Sequence, residues 1–170
     1  MRLNNKGISL VEIMVVIAIV AVLGAVGITT INAITGRPAQ QCGQKIVYSL
    51  ERHRMTAMSK VSASYSIEVD DSTGKVVCVE RISNGGTTTT SRVEIGSAQV
   101  SVSYKLEGSG APADAVSVSS GHPLTLEFER STGAFKRQAD GTYCTKIYAK
   151  SGGRTVVVTL VPLTGKVYID

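Results

Sequence analysis

Three hydrophobic patterns follow one another along the chain. From Ile13 to Ile28 every side chain is apolar or glycine, and the sequence stays uncharged to Gly36. With Ile8, Leu10 and Val11 added, the run exceeds the ~20 residues that a helix needs to cross a bilayer. Thr35-Gly36-Arg37-Pro38 then interrupts it, because Gly and Pro both disfavour a helix interior. Beyond Pro38, Cys42, Ile46, Val47, Leu50, Ala57 and Met58 recur at three- and four-residue spacing, with Lys45, Glu51 and Arg52 on the other side. That period predicts a helix over about Ala39–Ser59, its apolar stripe lying on a sheet. His53 in this helix reads as a surface or boundary residue rather than a ligand.

After Ser62 the period becomes two, which predicts strands. "SYSIEVD", an Asp71–Gly74 turn and "KVVCVERI" form a hairpin, and "NGGTTTT" (Asn84–Thr90) reads as a loop before "SRVEI" and "QVSVSY". Residues 107–122, rich in Gly, Ser, Ala and Pro, predict a long loop. "PLTLEFER", "STGAFKR", "YCTKIYAK", "RTVVVTLVP" and "GKVYID" complete a run of short strands, with a turn at Asp140-Gly141. The resulting organisation is residues 1–7, an apolar helix over 8–36, a second helical segment over 37–62 and a β-rich domain over 63–170. The fold class is α+β.

Composition supports a lean β-rich domain: two Phe, no Trp and 17 Gly in 170 residues. The net charge of +5 falls to +3 without Arg2 and Lys6, too little to argue for nucleic acid by itself. Cys42, Cys78 and Cys144 make an odd count with no Cys-x-x-Cys pair, and His53 and His122 lack metal-ligand spacing. Either Cys78 and Cys144 bridge two strands in an oxidising exterior, or all three are independent small apolar residues. The Gly-Gly pairs at 85–86 and 152–153 lack the Lys-Ser/Thr that a phosphate loop needs. Asp70, Asp71 and Gly74 read as a turn, since alternating oxygen ligands and a terminal Glu are missing. No nucleophile elbow accompanies the Ser, His and Asp residues. The expectation is a protein without catalytic residues, metal or cofactor.

One residue breaks the first pattern. Glu12 sits near the start of the apolar run, where a carboxylate costs ~2 to 4 kcal/mol in hydrocarbon. A secretory signal would have a shorter apolar core, and a plain anchor would leave Glu12 without a purpose. Gly7-Ile8-Ser9-Leu10-Val11-Glu12, behind the basic residues Arg2 and Lys6, resembles the processing motif of the type IV prepilin and type II secretion pseudopilin family. The resemblance covers about the first 30 residues. It implies cleavage between Gly7 and Ile8 by a membrane prepilin peptidase and N-methylation of Ile8. It also implies that Glu12 pairs with the new α-amino group of a neighbouring subunit, so that subunits assemble through their N-terminal helices. The implied fold is pilin-like: a long N-terminal helix, membrane-spanning in its first half, packed on an antiparallel β-rich domain. The basic leader keeps the N-terminus inside and sends the remainder out, as a single pass of the cytoplasmic membrane. Ala18, Ala21, Gly24 and Ala25 allow close helix packing. The apolar run lacks the Pro that many pilins carry within it.

The ending "SGGRTVVVTLVPLTGKVYID" resembles minor pseudopilins and minor fimbrial pilins, which implies a minor subunit. Some minor pilins bind DNA through a Gly-Arg-x-Arg segment. Here Gly153-Arg154-Thr155-Val156 has only the first Arg, and Lys146, Lys150, Arg154 and Lys166 are either a phosphate-binding face or solvated charges at strand ends. The rival class is a membrane-tethered extracytoplasmic binding module whose span is only an anchor.

Overall fold

The computed structural model describes residues 10–59, 62–108 and 115–170, with side chains between 24 and 35 left aside. Two helices and nine strands occur among them: α1 (Leu10–Thr35), α2 (Arg37–Met58), β1 (Ser62–Val69), β2 (Val76–Asn84), β3 (Thr87–Gly96), β4 (Ser101–Leu106), β5 (Val116–Ser117), β6 (Leu124–Glu127), β7 (Cys144–Ser151), β8 (Arg154–Val161) and β9 (Lys166–Ile169). The chain divides into two units, one ending at Ile34 and the other beginning at Thr35. The architecture is α+β with antiparallel sheets.

The first unit is α1, 26 residues and about 39 Å long at ~1.5 Å per residue. Its side chains from Leu10 to Leu23 are all exposed. Over the described residues no helix is long and apolar enough to cross a membrane; the side chains described in α1 stop at Leu23, short of the ~20 residues that a span requires.

In the second unit the helix break falls on Gly36 alone, and Pro38 lies in the first turn of α2. A missing N–H costs nothing there, because first-turn amides have no intrahelical acceptor. Ala39, Cys42, Gly43, Ile46, Leu50, His53 and Ala57 form the buried stripe of α2 at helical spacing. That stripe lies on β1 and β3 of one sheet and on β7, β8 and β9 of the other. The sheets run β3-β2-β1-β6 and β5-β4-β7-β8-β9, every pair antiparallel. Tyr65, Ile67, Cys78, Leu124 and Leu126 from the first sheet meet Val102, Ile147, Ala149, Val158 and Leu160 from the second in one core under α2. The helix approaches the second sheet closely at Gly43, where a Cβ would stand 2.8 Å from Val156 Cγ1.

Four expectations are corrected. Thr87–Thr90 are strand, paired with Ser83, Ile82, Arg81 and, at Thr87, Asn84. The loop shrinks to Gly85-Gly86, whose φ angles of 57° and 89° make a two-residue hairpin turn, and four β-branched threonines favour extension. "STGAFKR" contributes a single bridge, Phe128 to Phe135, rather than a strand. His53 is buried, not at the boundary, while Met58, expected on the apolar stripe, is 45% exposed.

Candidate functional site

Glu12 occupies the first turn of α1 and is the only charged residue between Leu10 and Thr35. A carboxylate is favoured at a helix N-terminus by the unpaired N–H groups there, yet its side chain is exposed and has no ionic partner among the described residues. Gly7 and Ile8, the expected cleavage pair, lie outside the described residues. One carboxylate at the head of an apolar helix can do one thing chemically: accept a cation or hydrogen-bond donor brought by another molecule or by the chain's own start.

Of the four basic residues expected to act together, the sheet register puts three on one face and Arg154 on the other. Lys146 and Lys150 lie on β7 with Ile147, Ala149 and Ser151 alternating inward. Arg154 pairs with buried Ser151 and shares its parity with buried Val156 and Val158, so it belongs to the opposite face from Lys150. Lys166 pairs with Val161 at the other end of the hairpin. Lys146 faces Asp170 at 3.8 Å, and Asp170 also accepts a hydrogen bond from Thr159 Oγ1 at 2.7 Å. By this register Lys146, Lys150 and Lys166 share the outer face of the sheet, and Arg154 alone takes the inward parity at the hairpin end.

All three cysteines are buried and free. The Cys78–Cys144 bridge, one of two readings from sequence, is not formed: Cys78 lies in the middle of β2 and Cys144 opens β7 in the other sheet. Burial pushes the Cys42 thiol up to about 11 and those of Cys78 and Cys144 to about 12. They stay protonated at neutral pH and fill core volume. At the β1–β2 turn, the Asp70 carboxylate accepts hydrogen bonds from the Ser72 hydroxyl and the Thr73 and Ser72 amides, which lower its pKa to about 2. The turn reading stands, with the carboxylate spent on its own backbone.

Sequence reasoning missed a polar cluster beneath α2. Glu80 is 4% exposed and binds Arg52 Nη2 at 2.6 Å. His53 lies beside it with its ring 5.6 Å from Tyr65 and 6.0 Å from Phe128, and neither ring nitrogen has a hydrogen-bond partner among the described residues. Burial lowers the His53 pKa; the Glu80 carboxylate and the Ala63 backbone, the latter outside hydrogen-bond geometry, oppose this less strongly. The signal was present in "VVCVERI": Glu80 shares its parity with Val76 and Cys78, so period two already aims it inward.

No curated protein and no solved structure matches the chain. A family model described as the prokaryotic N-terminal methylation motif matches residues 2–28, covering the Gly7-Ile8 pair, Glu12 and the apolar run. Residues 2–28 therefore carry the prokaryotic N-terminal methylation motif, in agreement with the prepilin-type processing motif that the sequence resembles.

Proposed function

We propose that this protein is a non-enzymatic structural subunit of a type IV pilus or a type II secretion pseudopilus, with pilin-like architecture. Prepilin peptidase cuts between Gly7 and Ile8 and Ile8 is N-methylated. The chain starts as a single-pass protein of the cytoplasmic membrane with its β-rich unit outside, then enters the filament through α1. The observation that carries this reading is the methylation motif at residues 2–28 placed directly over Glu12, the lone charge of a 26-residue helix. Cleavage creates a cation at Ile8, and an ion pair in low dielectric holds only when both partners are present. The β8–β9 hairpin formed by the C-terminal sequence supports a minor subunit. Arg154, the one Arg of the Gly-Arg segment, lies on the opposite face from Lys146, Lys150 and Lys166, which counts against a DNA-binding face built around it, and no observation favours the tethered binding module.

The test is the intact mass and N-terminal sequence of the protein from membranes with and without active prepilin peptidase. A chain beginning at Ile8 only with the peptidase is the expected result. A chain beginning at Met1, or cut beyond Ile28, removes the amine and overturns the assembly role. In cells that process the chain, Glu12→Gln should leave it membrane-bound but reduce its recovery in sheared filaments at least about tenfold, since a tenfold loss needs only ~1.4 kcal/mol of subunit docking.

A further inference from the structure

The two sheets have four outer edges, and three are short or covered. β5 has two residues and β9 has four. β6 has four, and its carbonyls at Glu127 and Thr125 accept from Lys136 N (2.8 Å) and Gln138 Nε2 (2.9 Å). β3 is ten residues long and, beyond its pairing with β2, borders no strand of the described residues. Among the described residues only the Lys45 ammonium reaches along this edge, 3.4 Å from the Glu94 carbonyl. In an antiparallel edge strand every second residue turns both its N–H and its C=O outward, so the length of β3 offers a template for a further strand.

Beside that edge, between β3 and α2, runs a mainly apolar groove of about 250 Å³. Val93 and Tyr48 stand on its walls, 46% and 69% exposed, above Ile95 and Cys78. Its charges are unequal in availability. Arg52 is held by Glu80 and Glu94 by Lys75 (2.8 Å), whereas Lys45 meets only a carbonyl. The groove therefore offers apolar surface next to one uncompensated cation.

We propose that the β3 edge and this groove form one docking surface for an extended segment of a partner protein, added as a strand to the first sheet. An added strand sends alternate side chains toward α2. Its chemistry follows: an apolar residue against Val93 and Tyr48, and an acidic residue two positions along that meets Lys45. The spacing agrees, since two strand residues span about 6.7 Å and Lys45 to Tyr48 rises about 4.5 Å along α2, within the reach of a lysine. A second copy is the poorer occupant. The α2-facing positions of its β3, namely Thr89, Ser91, Val93 and Ile95, carry no carboxylate for Lys45.

The experiment selects binders for the full-length chain in detergent from a library of random seven-residue displayed peptides, then measures them by fluorescence anisotropy. The expected binders place an apolar residue and an acidic one two apart. N-methylating alternate amides on one edge of the peptide should abolish binding, while methylating the other edge leaves it. Val93→Glu and Lys45→Glu should each weaken binding at least about tenfold. Hydrogen exchange on the unmutated chain should slow at β3 amides when peptide is added, a readout that needs no variant to fold. Absence of binders, or binders indifferent to Val93→Glu and to N-methylation on either edge, overturns the proposal. A dimer of the chain that dissociates with Val93→Glu also overturns it, in favour of a second copy.

Discussion

Replacing Gly165 with Ala tests how the second unit is locked together. Gly165 has φ +64° in the turn between β8 and β9, and its Cβ would fall inside van der Waals contact of the Gly133 carbonyl oxygen and 2.9 Å from Arg54 Nε. Those groups already bind each other, Arg54 Nε donating to the Gly133 carbonyl at 3.0 Å, while Phe135 N donates to Pro162 O at 2.9 Å. Three segments, the end of α2, the 129–133 turn and the 162–165 turn, thus meet where only hydrogen fits. A left-handed alanine costs about 1 kcal/mol on its own. Moving the Gly133 carbonyl aside forfeits a charge-assisted hydrogen bond, about 2 kcal/mol more. Gly153→Ala is the control: its φ is +80° and nothing lies within 4 Å of the added Cβ, so only the backbone cost of about 1 kcal/mol remains. At roughly 3 to 4 °C per kcal/mol for a unit of this size, the Tm losses should be about 10 °C and about 3 °C. Near-UV circular dichroism of the full chain in detergent reads the right unit, because all six Tyr lie beyond Thr35 and there is no Trp. Equal losses in the two variants would refute the close approach and leave only the φ requirement.

Two further outcomes follow from the cluster under α2. His53 keeps a folded pKa below its ordinary 6.5, so the unfolded chain takes up the proton first as pH falls. Stability is therefore full above pH about 6.5 and declines as pH drops toward the folded value. Glu80, Arg52, Glu127, Tyr65 and Phe128 surround the ring, and none forms a hydrogen bond to it. Tm measured from pH 7.5 down to 5.5 should slope downward, and His53→Gln should flatten the curve; an unchanged slope places the titration elsewhere. Arg52→Ala strips the partner from a carboxylate that is 4% exposed, whereas Lys75→Ala breaks a pair exposed on both sides. Urea unfolding should show a loss of about 2 to 3 kcal/mol for the first and less than about 1 for the second, and similar values would mean that Glu80 finds water or another donor.

How much of this fold was readable depended on whether the local pattern had one solution. The α2 stripe did, because Cys42, Ile46 and Leu50 recur at helical spacing while Lys45 and Arg52 take the other side. The β1–β2 hairpin did too, because alternation on both flanks meets at Asp70, whose carboxylate caps the turn itself. Thr87–Thr90 had two solutions. Polar threonines beside Gly-Gly look like loop, and they became strand only because pairing with β2 supplies the backbone partners that loop residues would seek from water. His53 shows the opposite limit. Polarity argued for the surface, but its position three residues after Leu50 and four before Ala57 places it on the buried stripe. The packing of Tyr65 and Phe128 around the ring, which no local pattern encodes, then closes it in.

The candidate sites divide along the same line. Glu12 stood out because its signal is a violation, one carboxylate in a stretch whose composition otherwise excludes charge, and the methylation motif at residues 2–28 spans it. The basic residues near the C-terminus were illegible as a group because a strand's parity decides which face each one joins. Lys150 and Arg154 are four apart, an even number that would share a face on one continuous strand. The Gly152-Gly153 turn between them, with φ of 55° and 80°, reverses the chain and puts Arg154 opposite Ser151 instead. A charge cluster read across a hairpin turn therefore has to be counted in register, not in sequence. Counted that way, Lys105, Lys146, Thr159 and Tyr168 form one row across four strands, Lys150 and Lys166 lie on the same face, and the Lys146 cation is already met by Asp170. The open cation beside an unpaired backbone edge is elsewhere, at Lys45, where the sequence displayed nothing more than the polar side of a helix.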